Sequence, residues 1–105
     1  MKLYRVKVTP DAKADLRKYL SYIINKLKNP QAAKNVADDF IETKDSLRNL
    51  ADPLAVPESK KLKDRGLKRI NFKRHDYFLL YRVKDSVVEI TNMFHGSEDY
   101  ENKLR

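Results

Sequence analysis

The chain has 105 residues, enough for one domain with one modest core, and its 23 Lys and Arg against 15 Asp and Glu give a net charge of +8. It contains no cysteine, which excludes disulfides and thiolate metal sites and fits a cytoplasmic protein, and no apolar run approaches the ~20 residues that span a bilayer. A pI near 9.7 points to an anionic partner: nucleic acid, a ribosome, anionic lipid or an acidic protein.

Residues 2–8 alternate, with Tyr4, Val6 and Val8 on one side and Leu3, Arg5 and Lys7 on the other, as a half-buried strand does. The same stretch lacks the apolar core of a signal peptide. Thr9-Pro10-Asp11 then reads as a helix start: a capping hydroxyl, a proline suited to the first turn, and an acid at the positive end of the dipole. Ala12, Leu16, Tyr19, Leu20, Ile23 and Leu27 form its apolar stripe. Asn29-Pro30 stops that helix and starts a second, marked by Ala33, Val36, Phe40, Leu47 and Leu50 and running to about Ala51. So short a link predicts an antiparallel helical hairpin.

Residues 52–64, bounded by Pro53 and Pro57, read as irregular. Gly66 opens a strand over 67–72, residues 73–76 form a polar turn, and 77–84 is a second strand apolar enough to be central. Lys84-Asp85-Ser86 turns into a third, 87–95, so three consecutive strands predict an antiparallel meander. The tail from Ser97 is predicted to hold a short helix. The fold class is therefore α+β with the order β-α-α-β-β-β: a helical hairpin on one face of a mainly antiparallel four-stranded sheet, the other face partly polar.

The stretch 60–82 carries nine Lys and Arg against two Asp. Strand period two sets Leu67, Arg69 and Asn71 on one face and Lys68, Ile70 and Phe72 on the other, the second set being the better core. On the last strand it groups Val88, Ile90 and Phe94 against Glu89, Thr91, Met93 and His95. Arg69 and His95 are thus expected together on an open basic face. An imidazole titrates near neutrality, so His95 is a candidate acid or base. His75-Asp76 reads as a turn in which the carboxylate orients the ring. Tyr77 and Tyr81 share a face, for core packing or base stacking. Two histidines and scattered carboxylates give no metal-ligand spacing, and Gly66 and Gly96, the only glycines, make no phosphate-binding loop; no cofactor is expected.

In order and spacing, nearly the whole chain resembles the RelE/ParE superfamily of bacterial type II toxin–antitoxin toxins. The resemblance rests on the opening strand running into Thr9-Pro10-Asp11-Ala12-Lys13-Ala14-Asp15-Leu16, the restart Asn29-Pro30-Gln31-Ala32-Ala33, and the closing Leu47-Arg48-Asn49-Leu50. It continues through Gly66-Leu67-Lys68-Arg69, Tyr77-Phe78-Leu79-Leu80-Tyr81-Arg82-Val83 and Met93-Phe94-His95-Gly96-Ser97-Glu98-Asp99. It implies the fold just derived, a cognate acidic antitoxin as partner, a toxin–antitoxin hetero-oligomer, and one of two targets. RelE-like members cleave mRNA on the ribosome by 2′-hydroxyl attack. That reading would make His95 the acid or base, with Arg69 and Lys68 stabilising the phosphorane and Tyr77 orienting or stacking on a base. ParE-like members poison DNA gyrase without chemistry, and the long hairpin and the His95-x-x-x-Asp99 ending look more like them. Phe78 stands where RelE-like members often carry Arg, which argues against ribonuclease chemistry. Asp76-Tyr77 at the start of the central strand, together with His95, instead resembles some His-using mRNA-cleaving toxins, with Lys68, Arg69 and Arg74 for the phosphate contacts. Arg65, Lys68, Arg74, His75, Arg82 and Asp99 complete the expected contacts to RNA or to a protein target.

Overall fold

The computed structural model describes residues 3–50 and 59–104, with Leu50 as backbone only. The expectations for residues 51–58, including Pro53 and Pro57, and for residues 2 and 105 lie outside the described residues.

Chain order is β1 (Arg5–Val8), α1 (Pro10–Asn25), α2 (Pro30–Leu50), α3 (Lys60–Asp64), β2 (Lys68–Asn71), β3 (Tyr77–Lys84), β4 (Val87–His95) and α4 (Tyr100–Lys103). The Thr9 hydroxyl caps α1 by accepting the Ala12 amide at 3.3 Å, and donates to the Ile90 carbonyl at 2.9 Å, which ties the helix start to the sheet. The link to α2 turns at Lys28, with φ +53°, and the Asn29 carboxamide caps α2 by accepting from Ala32 at 3.1 Å.

The sheet runs β1-β4-β3-β2, parallel between β1 and β4 and antiparallel elsewhere. The main core lies between the hairpin and the sheet, where Ala12, Ile23, Val36, Phe40 and Leu47 meet Phe72, Leu79, Tyr81, Val88, Ile90 and Met93. β3 is central, and its residues Phe78, Leu79, Leu80 and Tyr81 are buried on both faces, as its continuous apolar run predicts.

Two expectations are corrected. The lower face of the sheet, the one away from the hairpin, carries its own core. Leu62 of α3 and Leu104 after α4 cover Leu67, Phe78, Leu80 and Phe94, with Tyr100 packed alongside. α3 lies inside the stretch read as irregular. Its sequence KKLKD holds a single apolar residue, too few to show a helical period, and Ser59 caps it by accepting from Leu62.

The second correction is to side-chain parity on β4. Leu80 pairs with Asn92 but Tyr81 pairs with Ile90, so Thr91 is an extra, bulged residue. Beyond it the faces exchange: Met93 joins Val88 and Ile90 under the hairpin, while Phe94 enters the lower core. His95 therefore lies on the hairpin side. Arg69, in phase with buried Leu67, lies on the lower side, its guanidinium 3.8 Å from the centre of the Phe78 ring. The two residues expected together are separated by the sheet.

Candidate functional site

The predicted site residues divide into three groups. The first closes the hairpin-side end of the sheet. Tyr77 and His95 are direct cross-strand partners, their rings edge-to-face at 5.0 Å, and Tyr19 of α1 packs on Tyr77 at 5.2 Å. His95 is part-exposed, at 37 % of its side chain. Its Nδ1 accepts the Ser97 amide at 3.2 Å and lies 2.7 Å from the Ser97 hydroxyl, which leaves the proton of the neutral ring on Nε2. That nitrogen is 4.0 Å from an Asp76 carboxylate oxygen. The Asp76 carboxylate lies over Gly96, where a Cβ would collide with it, and the Asp76 carbonyl accepts the Gly96 amide at 2.8 Å. Asp76 thus faces the other histidine from the one expected.

Glu98, which strand periodicity did not single out, organises this end. It accepts the His95 amide at 2.9 Å and the Tyr19 hydroxyl, and pairs with Lys103 of α4 at 2.8 Å. Burial opposes its ionisation, but Lys103, the Tyr19 hydroxyl and the His95 amide prevail and hold its carboxyl down to about 2. Burial and then Glu98 push the Tyr19 phenol well above its ordinary range. Burial, Glu98 and Asp76 likewise raise Tyr77, so its hydroxyl stays protonated at neutral pH. Met93, the other outward amide on this edge, donates to Asp15 at 3.0 Å. Burial raises the Asp15 carboxyl, and the Met93 bond only partly offsets it. Side chains of α1 and of the β4–α4 link thereby cover the β4 edge where β1 ends.

The second group is occupied in holding the β2–β3 turn. Asp39 of α2, 1 % exposed, accepts the amides of Lys73 at 3.2 Å and Arg74 at 2.9 Å and meets His75 Nδ1 at 2.8 Å. Burial works against its charge, but His75 and the two amides outweigh it and lower its pKa. The Arg74 guanidinium binds Glu42, and Lys73 Nζ meets the same carboxylate at 3.4 Å. His75 and Arg74, expected as target contacts, thus tie the turn to α2. A sequence signal for Asp39 exists: it is an acid inside the apolar stripe of α2, three residues after Val36 and one before Phe40.

The third group is the basic lower face. Arg65 follows α3, Arg69 lies on β2, Arg82 is on β3 and Lys103 on α4. Lys68, in phase with Ile70 and Phe72, belongs instead to the hairpin side of β2 and is not part of this group. Arg69 is laid flat between Phe78 and Tyr100, its Nε donating to Asn71 at 2.8 Å. Arg82 donates to Glu89 at 2.9 Å. Arg65, Arg82 and Lys103 line an open groove together with Leu67, Phe94 and Leu104 and with Asp11, Asp15 and Lys18 of α1. Asp99 precedes α4 and accepts from the Asn102 side chain. Among the described residues no cluster of three or more His, Asp or Glu is placed to hold a metal ion, and no helix is long and apolar enough to cross a membrane.

The fold is shared with chains from two solved toxin–antitoxin systems. A chain of the chromosomal ParDE toxin–antitoxin system of P. aeruginosa superposes with a TM-score of 0.73 at 22 % identity, over 89 % of this chain and 96 % of that one. A chain of the toxin–antitoxin complex RelBE2 of Mycobacterium tuberculosis gives 0.58 at 27 % identity, over 93 % and 97 %. No curated protein sequence matches. The family model described as ParE toxin of type II toxin–antitoxin system, parDE, matches residues 6–100, and the chain belongs to that family.

Proposed function

We propose that this toxin arrests growth in the cytoplasm by binding DNA gyrase, without catalysing a reaction, and that an acidic cognate antitoxin neutralises it as a hetero-oligomer. The observation that carries the non-enzymatic reading is the parity change at Thr91. It leaves His95 and Arg69 on opposite faces of the sheet, so the acid or base and the phosphorane-stabilising cation of a ribonuclease do not converge on one phosphate. Arg74 and His75 are held by Glu42 and Asp39. The ParE family match favours the same reading.

The alternative is a ribosome-dependent mRNA endoribonuclease. It is favoured by one observation, the part-exposed His95 ring with Asp76 and Tyr77 beside it. Brief induction separates the two. The gyrase reading expects intact mRNA by primer extension, an SOS response, and inhibited supercoiling with purified gyrase. It also expects His95→Ala to keep full toxicity, whereas a general acid or base would lose about 10²–10⁴-fold in rate. Codon-positioned cuts that disappear in His95→Ala would overturn it.

A further inference from the structure

The charge is segregated. Residues 59–72 hold six cations, Lys60, Lys61, Lys63, Arg65, Lys68 and Arg69, against Asp64 alone, whereas the hairpin over residues 10–50 holds eight against six acids. The fold turns that run outward. In α3, Leu62 is fully buried, and Lys60 and Lys63 are exposed. Lys61 reaches across to the Glu101 carbonyl and ties α3 to α4. There Lys103 is paired with Glu98, and Asp99 and Glu101 bring acids, so the cation run is that of α3 and β2. Arg69 is held flat on its aromatic bed beside them.

The apolar side chains of this face are largely covered, apart from those that line the groove beside Arg65 and Lys103. Leu62, Leu67, Phe78 and Phe94 are all buried beneath α3 and α4. A polypeptide partner gains most of its affinity from apolar or aromatic anchors sunk into pockets, and the ridge of α3 offers none. A phosphodiester backbone needs only closely spaced cations. The exposed large apolar side chains lie elsewhere: Tyr22 and Ile24 on α1, Leu27 in the link to α2, Ile41 on α2, and Leu3 before β1. Most exposed apolar side chains and the cation run of α3 and β2 therefore lie on separate surfaces.

We propose that the α3–β2 face binds the phosphate backbone of duplex DNA, with Lys60 and Lys63 as principal contacts, and so holds the toxin against the DNA that gyrase is handling. The choice of DNA over RNA rests on the gyrase reading; the basic face does not.

The test uses the purified chain without gyrase, so its result is independent of whether gyrase is inhibited. A fluorescently labelled 20-base-pair duplex and a labelled 20-nucleotide single-stranded RNA are titrated by anisotropy between 50 and 200 mM NaCl. Duplex binding weakens steeply with salt. Lys60→Glu/Lys63→Glu, checked for native circular dichroism, lowers duplex affinity at least tenfold. It also flattens the log–log salt slope by about two, one for each phosphate that is no longer neutralised. The control pair Lys13→Glu/Arg17→Glu, exposed on α1, changes affinity by less than about threefold. Equal losses in both pairs, no duplex binding at 50 mM salt, or RNA bound at least tenfold more tightly than duplex would each overturn the proposal.

Discussion

A single buried carboxylate explains why the turn between β2 and β3 has one shape. Asp39 satisfies two amides and an imidazole that no strand pairing reaches. Asp39→Ala removes the acceptor shared by these three part-buried donors, and hydrogen bonds to a charged group contribute about 1.5–3 kcal/mol each. The variant is expected to lose about 2–4 kcal/mol in urea unfolding, with little change in the slope of the transition. Glu98 gives a matching prediction in pH. Its carboxyl is held below the ordinary 4.5, at about 2, so the folded state binds fewer protons than the unfolded one in that interval. The stabilisation is complete above about pH 5 and is lost as pH falls through about 4 toward 2. Asp39, also lowered, acts in the same direction, whereas Asp15, raised by burial, works against it. Glu98→Gln should therefore be less stable than the native chain at pH 7, by about 2 kcal/mol. The two should converge near pH 2, as read from thermal midpoints across pH. A constant gap at every pH would show that the charge of Glu98 is not what holds α4 and the end of β4.

At the scale of elements, one inserted residue decides which side chains form the site. Without Thr91, strict alternation along β4 would send Met93 to the lower face and Phe94 under the hairpin, exchanging two residues from two different cores. Deleting Thr91 is expected to destabilise by at least ~3 kcal/mol, since each core then has a large side chain of the wrong shape. The measurement is the urea midpoint together with near-ultraviolet circular dichroism, where the Phe78–Phe94–Tyr100 cluster loses its fixed packing. Most elements were legible in the sequence: the boundaries of β3 and β4, the Thr9 cap and the Asn29-Pro30 break all follow from periodicity and local hydrogen bonding. α3 was not, because a five-residue helix with one apolar residue has no period to read and exists only where Leu62 finds the lower core.

For the molecule as a whole, two small cores on opposite sides of one sheet divide the surface by chemistry. The hairpin side carries exposed apolar residues and nearly balanced charge; the lower side carries its apolar residues inside and its cations outside. Charge reversal at Lys60 and Lys63 should therefore cost DNA affinity but not stability. Their side chains are exposed, and such changes ordinarily lie within ±0.5 kcal/mol. Equal unfolding midpoints for the variant and the native chain, measured at 50 mM salt where self-repulsion is least screened, are the expected outcome.

The sequence by itself determined the element order, the central place of β3, the net charge of +8, and the family resemblance. Each of these is a property of local spacing or of composition, readable without knowing what touches what. The tertiary structure alone decided that His95 and Arg69 are divided by the sheet, that Asp39 holds His75 while Asp76 faces His95, and that Glu98 closes the end of β4. Those facts depend on strand register and on contacts between residues far apart in the chain. A period-two pattern carries no record of a bulge, because one added residue leaves the composition of both faces plausible and is settled only by which arrangement fills both cores.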